Sequence, residues 1–234
     1  MGKKVGPSVR KAKWLWYSIT STKAEAIRAE YAVGQDLANE VRNRVGLDVR
    51  PEVKRILEEV GSCLSGCVAE KMLKFNFEAV ESEKPNAFAL PGGFIFVSRS
   101  MLDLCDYDKS ELAFILGHEM GHVIRGHAIQ KVVSNSAIAI GAGVVPARGV
   151  LAGWLRKVGI QFFQSAYSQD IELEADKLGV RLVVAAGYDG AAAIQFLSRL
   201  NSRSEKQSAL SRYFSSHPPF QLRINEINSL LVGS

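Results

Sequence analysis

The apolar positions of the chain first recur with the period of a helix. Thr22 and Glu25 stand three residues apart, which is the spacing of a helix-capping box. From there to Gly46 apolar residues return every three or four positions, and this pattern predicts one long amphipathic helix. A second stripe begins at Pro51, a residue suited to a first helical turn, and is expected to continue to Met72.

Near residue 74 the period changes from that of a helix to that of a strand. Residues 74–79 alternate polar and apolar side chains, as a half-buried strand does. Residues 86–90 and 94–98 form two further short β-like runs, separated by the turn sequence Pro91-Gly92-Gly93. The pattern therefore predicts a small sheet.

The second half of the chain returns to helical periods. Helix starts are predicted at Asp108, at Ser168, at Asp189 and at the His217-Pro218-Pro219 run. Residues 201–208 are polar and are expected to form a loop. Residues 136–155 are apolar and glycine-rich, but the uninterrupted run of 12 residues contains Pro146 and is shorter than the about 20 residues that cross a bilayer. We expect two buried or hinge-linked helical pieces there, with membrane contact as the alternative.

Length and composition favour one globular domain with a basic tail. The 234 residues are 47% hydrophobic, which is enough to bury a full core. The net charge of +5 is unevenly spread, because residues 1–23 hold six lysines and arginines and no acid. We divide the chain into a tail at residues 1–22 and a single domain at residues 23–234, with residues 23–73 as a helical scaffold and residues 74–234 as the core that carries the candidate chemistry.

The cysteines and the missing recognition motifs exclude several classes of protein. An odd count of three cysteines without a framework spacing argues against a disulfide-stapled secreted domain. Cys63 and Cys67 are one helical turn apart and are expected to pack as small apolar residues. The chain has no aromatic-interleaved basic strand and no zinc-finger spacing, which argues against nucleic acid as a partner.

The N-terminal region bears on the compartment. It has no apolar segment of the kind found in signal peptides, so the cytoplasm is the default expectation. The basic tail and its Trp14-Leu15-Trp16-Tyr17 patch could also make peripheral contact with an anionic membrane surface. The alternative is that these aromatic residues dock on the domain.

The candidate chemistry centres on His118-Glu119-Met120-Gly121-His122. Each residue of a helix advances about 100°, so His118 and His122 project within about 40° of each other and can bind one metal ion. Glu119 could reach a water on that metal but is badly placed to ligate it, which suits the general base of a zinc hydrolase. A helix that merely carries two surface histidines is the alternative.

A third protein ligand is expected, because catalytic zinc generally takes three and leaves a fourth position to water. The long metzincin consensus is ruled out, since Arg125 and Ala128 stand where its glycine and third ligand would be. His127 lies about 140° round the helix from His122, so it cannot join the same ion unless the helix breaks. We expect His127 to be an exposed or capping residue.

The third ligand is then expected to be a carboxylate on a later helix. Glu172 and Asp176 are four apart on one helical face, so one can ligate while the other accepts a hydrogen bond from a ligating imidazole. Glu174 falls about 160° from both and is expected to be solvated. For Glu172 the alternative is an ordinary exposed acidic helix face.

Four motifs in this order carry a family resemblance. They are the segment of residues 86–93, His118-Glu119-x-x-His122, Glu172-x-x-x-Asp176 and His217-Pro218. Together they resemble the HtpX and CaaX-prenyl endopeptidases, metallopeptidase family 48 of the gluzincins, over about residues 86–227. Because the transmembrane helices of the integral-membrane members are missing, the chain resembles the soluble single-domain branch, which argues against prenyl-protein processing.

The resemblance implies a fold and a set of site residues. The fold would be α+β, a mostly α-helical zincin-like core with a small antiparallel sheet. One Zn²⁺ per chain would be held by His118, His122 and Glu172. Glu119 would be the general base, and Asp176 would accept a hydrogen bond from a ligating histidine. His217 and Arg223 would face the substrate oxyanion. The segment expected to bind substrate, as an added strand, consists of Asn86, Ala87, Phe88, Ala89, Leu90, Gly92 and Gly93.

These features predict a zinc-dependent endopeptidase that hydrolyses extended or unfolded polypeptide. The alternative is a latent or non-catalytic zinc-containing protein that binds peptides in the manner of a chaperone. The intact Glu119 favours the enzyme, because a purely structural zinc site has no need of a base at that position.

Overall fold

The computed structural model describes residues 22–128, 130–131, 167–204 and 220–233. Its main elements are α1 (Lys23–Val45), α2 (Pro51–Gly66), β1 (Asn76–Val80), β2 (Ala87–Leu90), β3 (Phe94–Ser98), α3 (Arg99–Leu104), α4 (Lys109–Arg125), α5 (Gln169–Ala185), α6 (Ala191–Ser204) and α7 (Phe220–Val232). The predicted class, α+β and mostly helical with a small sheet, is confirmed.

Local capping signals fix where the helices begin. The Thr22 hydroxyl accepts a hydrogen bond from the backbone N–H of Glu25 at 3.2 Å, as the capping-box spacing predicted. The Asp108 carboxylate accepts hydrogen bonds from the N–H groups of Ser110 and Glu111 and starts α4. These two helix starts are therefore confirmed.

The sheet has the strand order β1-β3-β2 and is mixed. β2 runs antiparallel to β3 through the Pro91–Gly93 turn, where φ is +75° at Gly92 and +87° at Gly93. β1 runs parallel to β3, because β3 inserts between β1 and β2 instead of adding outside β2. The purely antiparallel sheet that the resemblance implied is therefore corrected to a mixed one.

Several details predicted from the sequence pattern were wrong. α2 ends at Gly66 and Met72 is 42% exposed, because the chain turns at Cys67 and leaves the helical stripe. Cys63 and Cys67 are exposed instead of packed, since Cys63 lies about 90° from the centre of the buried stripe and Cys67 lies beyond the helix. α6 continues to Ser204 through part of the predicted loop. The short helix α3 was missed.

Both faces of the sheet are covered by helices. Phe88 and Leu90 of β2 pack in an apolar cluster with residues of α1. Ala87 and Ala89, which alternate with them, pack in the larger cluster with residues of α2 and α4 to α7. This alternation explains why a strand of the small sheet is apolar on both sides.

α4 and α5 are in contact through their backbones. A Cβ atom added at Gly179 on α5 would lie 2.8 Å from the His118 nitrogen and 2.9 Å from the Gly117 carbonyl carbon. A Cβ atom added at Gly121 on α4 would lie 2.8 Å from the Ala175 carbonyl oxygen. Only residues without a larger side chain fit this crossing, which holds the histidine motif beside the acids of α5.

None of the described helices combines the length and the apolar character that crossing a bilayer requires. Residues 136–155, for which two helical pieces were predicted, lie outside the described residues.

We predict that Gly179→Ala destabilises the protein. Alanine favours a helix by about 0.5–1 kcal/mol over glycine, but overpacking a tight contact costs about 1–3 kcal/mol, so the packing effect should prevail. The midpoint of urea unfolding measures the result. Gly66→Ala is the matched control, because nothing lies within 4 Å of the added Cβ at that helical glycine. An unchanged or raised midpoint for Gly179→Ala would contradict the close crossing.

Candidate metal centre

Two helices bring three candidate ligands together. α4 supplies His118 and His122, each 2% exposed, and α5 supplies Glu172, which is fully buried. One ligand atom from each residue lies within 4.8 Å of the others. Among the described residues, this is the one group of at least three potential ligands that could hold a metal ion.

The separations of these atoms fit a tetrahedral zinc ion. His118 Nε2 lies 3.2 Å from His122 Nε2. The Glu172 oxygens lie 3.6 Å from His118 Nε2 and 3.5 Å from His122 Nε2. Ligands about 2.0–2.2 Å from a tetrahedral zinc are about 3.3–3.6 Å from one another. The nitrogen and carboxylate donors are also those that zinc prefers, so the residues present fit the metal that the family resemblance implied.

The outer nitrogen of His118 is held by a buried ion pair. His118 Nδ1 lies 2.8 Å from Asp176 Oδ1. Arg223 donates from Nε to Asp176 Oδ2 and from Nη2 to Oδ1, both at 2.7 Å. This is the position that was predicted for Asp176, behind a ligand.

Charge and burial in this cluster favour the states that a metal site needs. Burial alone would raise the pKa of Asp176, but the Arg223 charge and hydrogen bonds lower it to about 2, so the carboxylate stays ionised. Burial, aided by Arg223, holds the pKa of His118 below its ordinary value. A neutral imidazole is the form that ligates zinc.

Glu119 lies beside the ligands on α4 and is 3% exposed. Its negative charge contributes, after burial, to raising the pKa of the Tyr167 hydroxyl. Glu119 is thus in the interior near Tyr167, and its role as the general base stays a prediction.

His127 lies against His122, in a position that sequence reasoning missed. α4 ends at Gly126, which is left-handed with φ 67° and ψ 31°, so the helix does break before His127. His127 is 1% exposed and its Nδ1 lies 3.0 Å from His122 Nδ1. The expectation of an exposed or capping residue is wrong, although His127 stays outside the three-ligand group. Gly126 was the signal that could have shown it, because glycine there is typical of a helix end.

Tyr167 contacts His122, and Lys131 contacts Tyr167 in turn. The Tyr167 ring stacks on the His122 ring with centroids 4.5 Å apart and planes 23° apart. Lys131 Nζ lies 4.3 Å from the centroid of the Tyr167 ring. Burial lowers the pKa of Lys131 to about 8, an effect that the charge of Glu172 partly opposes. Neither residue belongs to a motif, and sequence reasoning missed both.

A narrow gap separates His122 from β2. Its lining includes Glu30, Leu90, His122 and Tyr167, and its free volume of about 10 Å³ is room for about one water molecule. Burial raises the pKa of Glu30 to about 7. No lysine or arginine of the described residues forms an ion pair with Glu30. Glu30 stands three residues after Ile27, on the apolar stripe of α1, and this position could have predicted its burial from the sequence.

The remaining predicted site residues are placed as follows. Gly92 and Gly93 are buried in the turn, and an added Cβ at Gly92 would lie 2.4 Å from Tyr31 Cα, so close packing favours glycine there. Their role in substrate binding stays a prediction. His217 lies outside the described residues. Arg223 is fully buried behind the ligands, with Nη1 3.8 Å from Glu172 Oε2. A direct role of Arg223 and His217 at the oxyanion stays a prediction.

The chain is similar in sequence to several proteases. A model of peptidase family M48 matches residues 49–231. The mitochondrial metalloendopeptidase OMA1 of Schizosaccharomyces pombe is 28% identical over 213 residues, which cover 86% of this chain and 61% of that protein. OMA1 of Arabidopsis thaliana is 32% identical over 133 residues (57% and 27%). The beta-barrel assembly-enhancing protease of Yersinia pestis is 26% identical over 218 residues (86% and 43%). The chain thus spans less than two thirds of the length of these relatives.

We predict that Glu30→Gln stabilises the protein at high pH. The pKa of Glu30 rises from 4.5 to about 7 on folding, so the folded state holds the proton more tightly and loses stability as the pH rises through that window. Glutamine removes this cost, and the variant should gain about 2–3 kcal/mol at pH 8.

Unfolding midpoints measured from pH 4 to pH 8 test this expectation. The difference between variant and unsubstituted protein should vanish below about pH 4.5, where both side chains are neutral. The exposed acid Glu83, changed to glutamine, is the control and should give a small, flat difference. A difference for Glu30→Gln that does not change with pH would contradict the burial argument.

Proposed function

The chain belongs to peptidase family M48, and we propose that it is a zinc-dependent endopeptidase that cleaves extended or unfolded polypeptide. One observation carries the proposal. The donor atoms of His118, His122 and Glu172 are buried at zinc-like spacings, and Glu119, the neighbour of His118 in the sequence, is buried too. A purely structural zinc site would not need that acid.

In this proposal the side chains around the metal position have distinct roles. When bound, zinc would polarise the scissile carbonyl and lower the pKa of water towards about 7. Glu119 accepts the proton of the attacking water and later delivers it to the leaving nitrogen. Asp176 keeps the proton of His118 on Nδ1, which leaves Nε2 free to ligate. Arg223 keeps Asp176 ionised and in place.

The oxyanion donors are the part of the proposal that rests on the family pattern. His217 and Arg223 would donate hydrogen bonds to the tetrahedral oxyanion, each contributing typically about 2.7–4 kcal/mol. The contacts of Arg223 with Asp176 support a positioning role as well, because they act on His118 through that carboxylate.

β2 is proposed as the strand to which the substrate adds. It lies at one end of the sheet order and both its faces are packed, so its backbone edge is what a peptide could use. The Ser98 N–H donates to the Asn86 carbonyl, so residues 86 and 98 form a hydrogen-bonded pair. By the alternation of an antiparallel ladder, the amides and carbonyls of Ala87 and Ala89 then point away from β3.

The whole-chain expectations stay predictions. Residues 1–21 lie outside the described residues, so peripheral membrane contact through the basic tail and the division at residue 22 stay predictions. The cytoplasmic location and the absence of nucleic-acid partners likewise stay predictions. A polypeptide substrate is supported by the family.

We predict that Glu119→Ala retains zinc and loses proteolysis. Removal of a general base should lower kcat/KM by about 10²- to 10⁴-fold, whereas the three proposed ligands remain in place. His122→Ala should lose both zinc and activity. Casein cleavage and zinc content per chain are the measurements, with a chelator in one arm.

Glu58→Ala is the matched control, because Glu58 is also an acid on a helix and its side chain is 63% exposed. Loss of zinc in Glu119→Ala would contradict the assigned roles. Full zinc occupancy without casein cleavage by the unsubstituted protein would favour the latent or peptide-binding alternative, which the narrow gap beside His122 also favours.

We predict that Ala89→Pro weakens substrate binding more than it lowers turnover. Proline removes the outward N–H that would pair with the peptide, while the bonds of Phe88 to β3 remain. KM for casein should rise several-fold. Ala89→Ser keeps the N–H and is the control. Equal KM values for the proline and serine variants would contradict the proposal that the substrate pairs with β2.

A further inference from the structure

The two histidines of the candidate centre are supported in different ways. His118 has the familiar carboxylate partner, Asp176, at 2.8 Å. The partner of His122 at the corresponding ring nitrogen is another histidine, because Nδ1 of His122 lies 3.0 Å from Nδ1 of His127. This contact belongs to none of the motifs of the sequence.

The end of α4 creates the contact. In a continuous helix a residue five positions on would point about 140° away from His122. Gly126 takes the left-handed conformation that ends a helix, with φ 67°, and the chain then turns back. His127 is thereby buried against His122, on the side of the ring opposite to the ligating Nε2.

The contact between the two histidines pairs one donor with one acceptor, and a charged pair lies close to its outer end. If His122 presents the lone pair of Nε2 to a metal, its Nδ1 carries the proton and donates to Nδ1 of His127. The proton of His127 is then on Nε2, which lies 3.6 Å from Glu174 Oε2. Glu174 Oε1 in turn lies 3.1 Å from Arg125 Nε.

We propose that His127 is a positioning residue of the metal centre, which holds His122 in its Nδ1–H tautomer and in the ring orientation that ligation needs. This inference rests on the proposed zinc site. Tyr167 stacks on the ring of His122 and restrains its plane, whereas His127 sets the rotation within that plane. Glu174 lies near His127 at the surface, where its side chain is 42% exposed.

Two substitutions at residue 127 separate this role from simple packing. His127→Phe keeps a ring of similar volume but removes the acceptor. His127→Asn loses ring volume but can place its side-chain oxygen where Nδ1 was. Zinc affinity is measured by competition with a chelating indicator, and the ligand field by the visible spectrum of the Co²⁺-substituted protein.

We expect His127→Phe to weaken zinc binding by about 10- to 100-fold and to change the Co²⁺ spectrum, as losses of partners behind metal ligands do. His127→Asn should recover most of the affinity. Glu174→Gln should have a smaller effect, because Glu174 is partly solvated and its contact with His127 is long.

Three outcomes would overturn the inference. One is zinc affinity and a Co²⁺ spectrum in His127→Phe that match the unsubstituted protein. Another is an equal loss of affinity in the phenylalanine and asparagine variants, which would indicate packing alone. The third is an unsubstituted protein that binds no zinc, which would remove the proposed function too. Zinc binding without casein cleavage would contradict only the proposed function.

Discussion

The backbone contact between α4 and α5 is the constraint on which the candidate centre depends. Each helix carries part of the ligand set, so the ligand distances are set by how closely the two backbones approach. Gly117, Gly121 and Gly179 lack Cβ atoms at the points where such atoms would collide. Each glycine costs a helix about 0.5–1 kcal/mol relative to alanine. The glycine inside the histidine motif is therefore best understood as a packing residue.

Charge is the second constraint, because acids are buried together. Glu119, Glu172 and Asp176 are nearly inaccessible to solvent. Among the described residues, Arg223 is the one lysine or arginine that is fully buried with them. Three carboxylates still outnumber the guanidinium and the partly buried Lys131, whose charge acts on Glu172. The excess of negative charge is costly away from water. A divalent cation would offset that excess. Metal binding is therefore expected to be coupled to folding as well as to chemistry.

Local rules predicted the parts of the structure that depend on a few neighbouring residues. The Asp108 cap starts α4, and the four-residue spacing brings the ring of His122 beside that of His118. His127 was misplaced because one left-handed residue, Gly126, redirects everything after it. The parallel pairing of β1 with β3 and the burial of Glu30 arise from contacts between distant segments, which periodicity does not encode.

α4 joins the two halves of the proposed mechanism, because it carries Glu119 and also packs against β2. Tyr167 and His127 occupy the surroundings of His122, so a peptide would approach Glu119 along the edge of β2. Main-chain pairing with a strand anchored on α4 would then fix the scissile carbonyl relative to the base, an advantage of the kind that proximity gives. Such pairing depends on an extended backbone and not on the side chains of the substrate. The accessibility of an unfolded segment would therefore decide which peptide bond is cut.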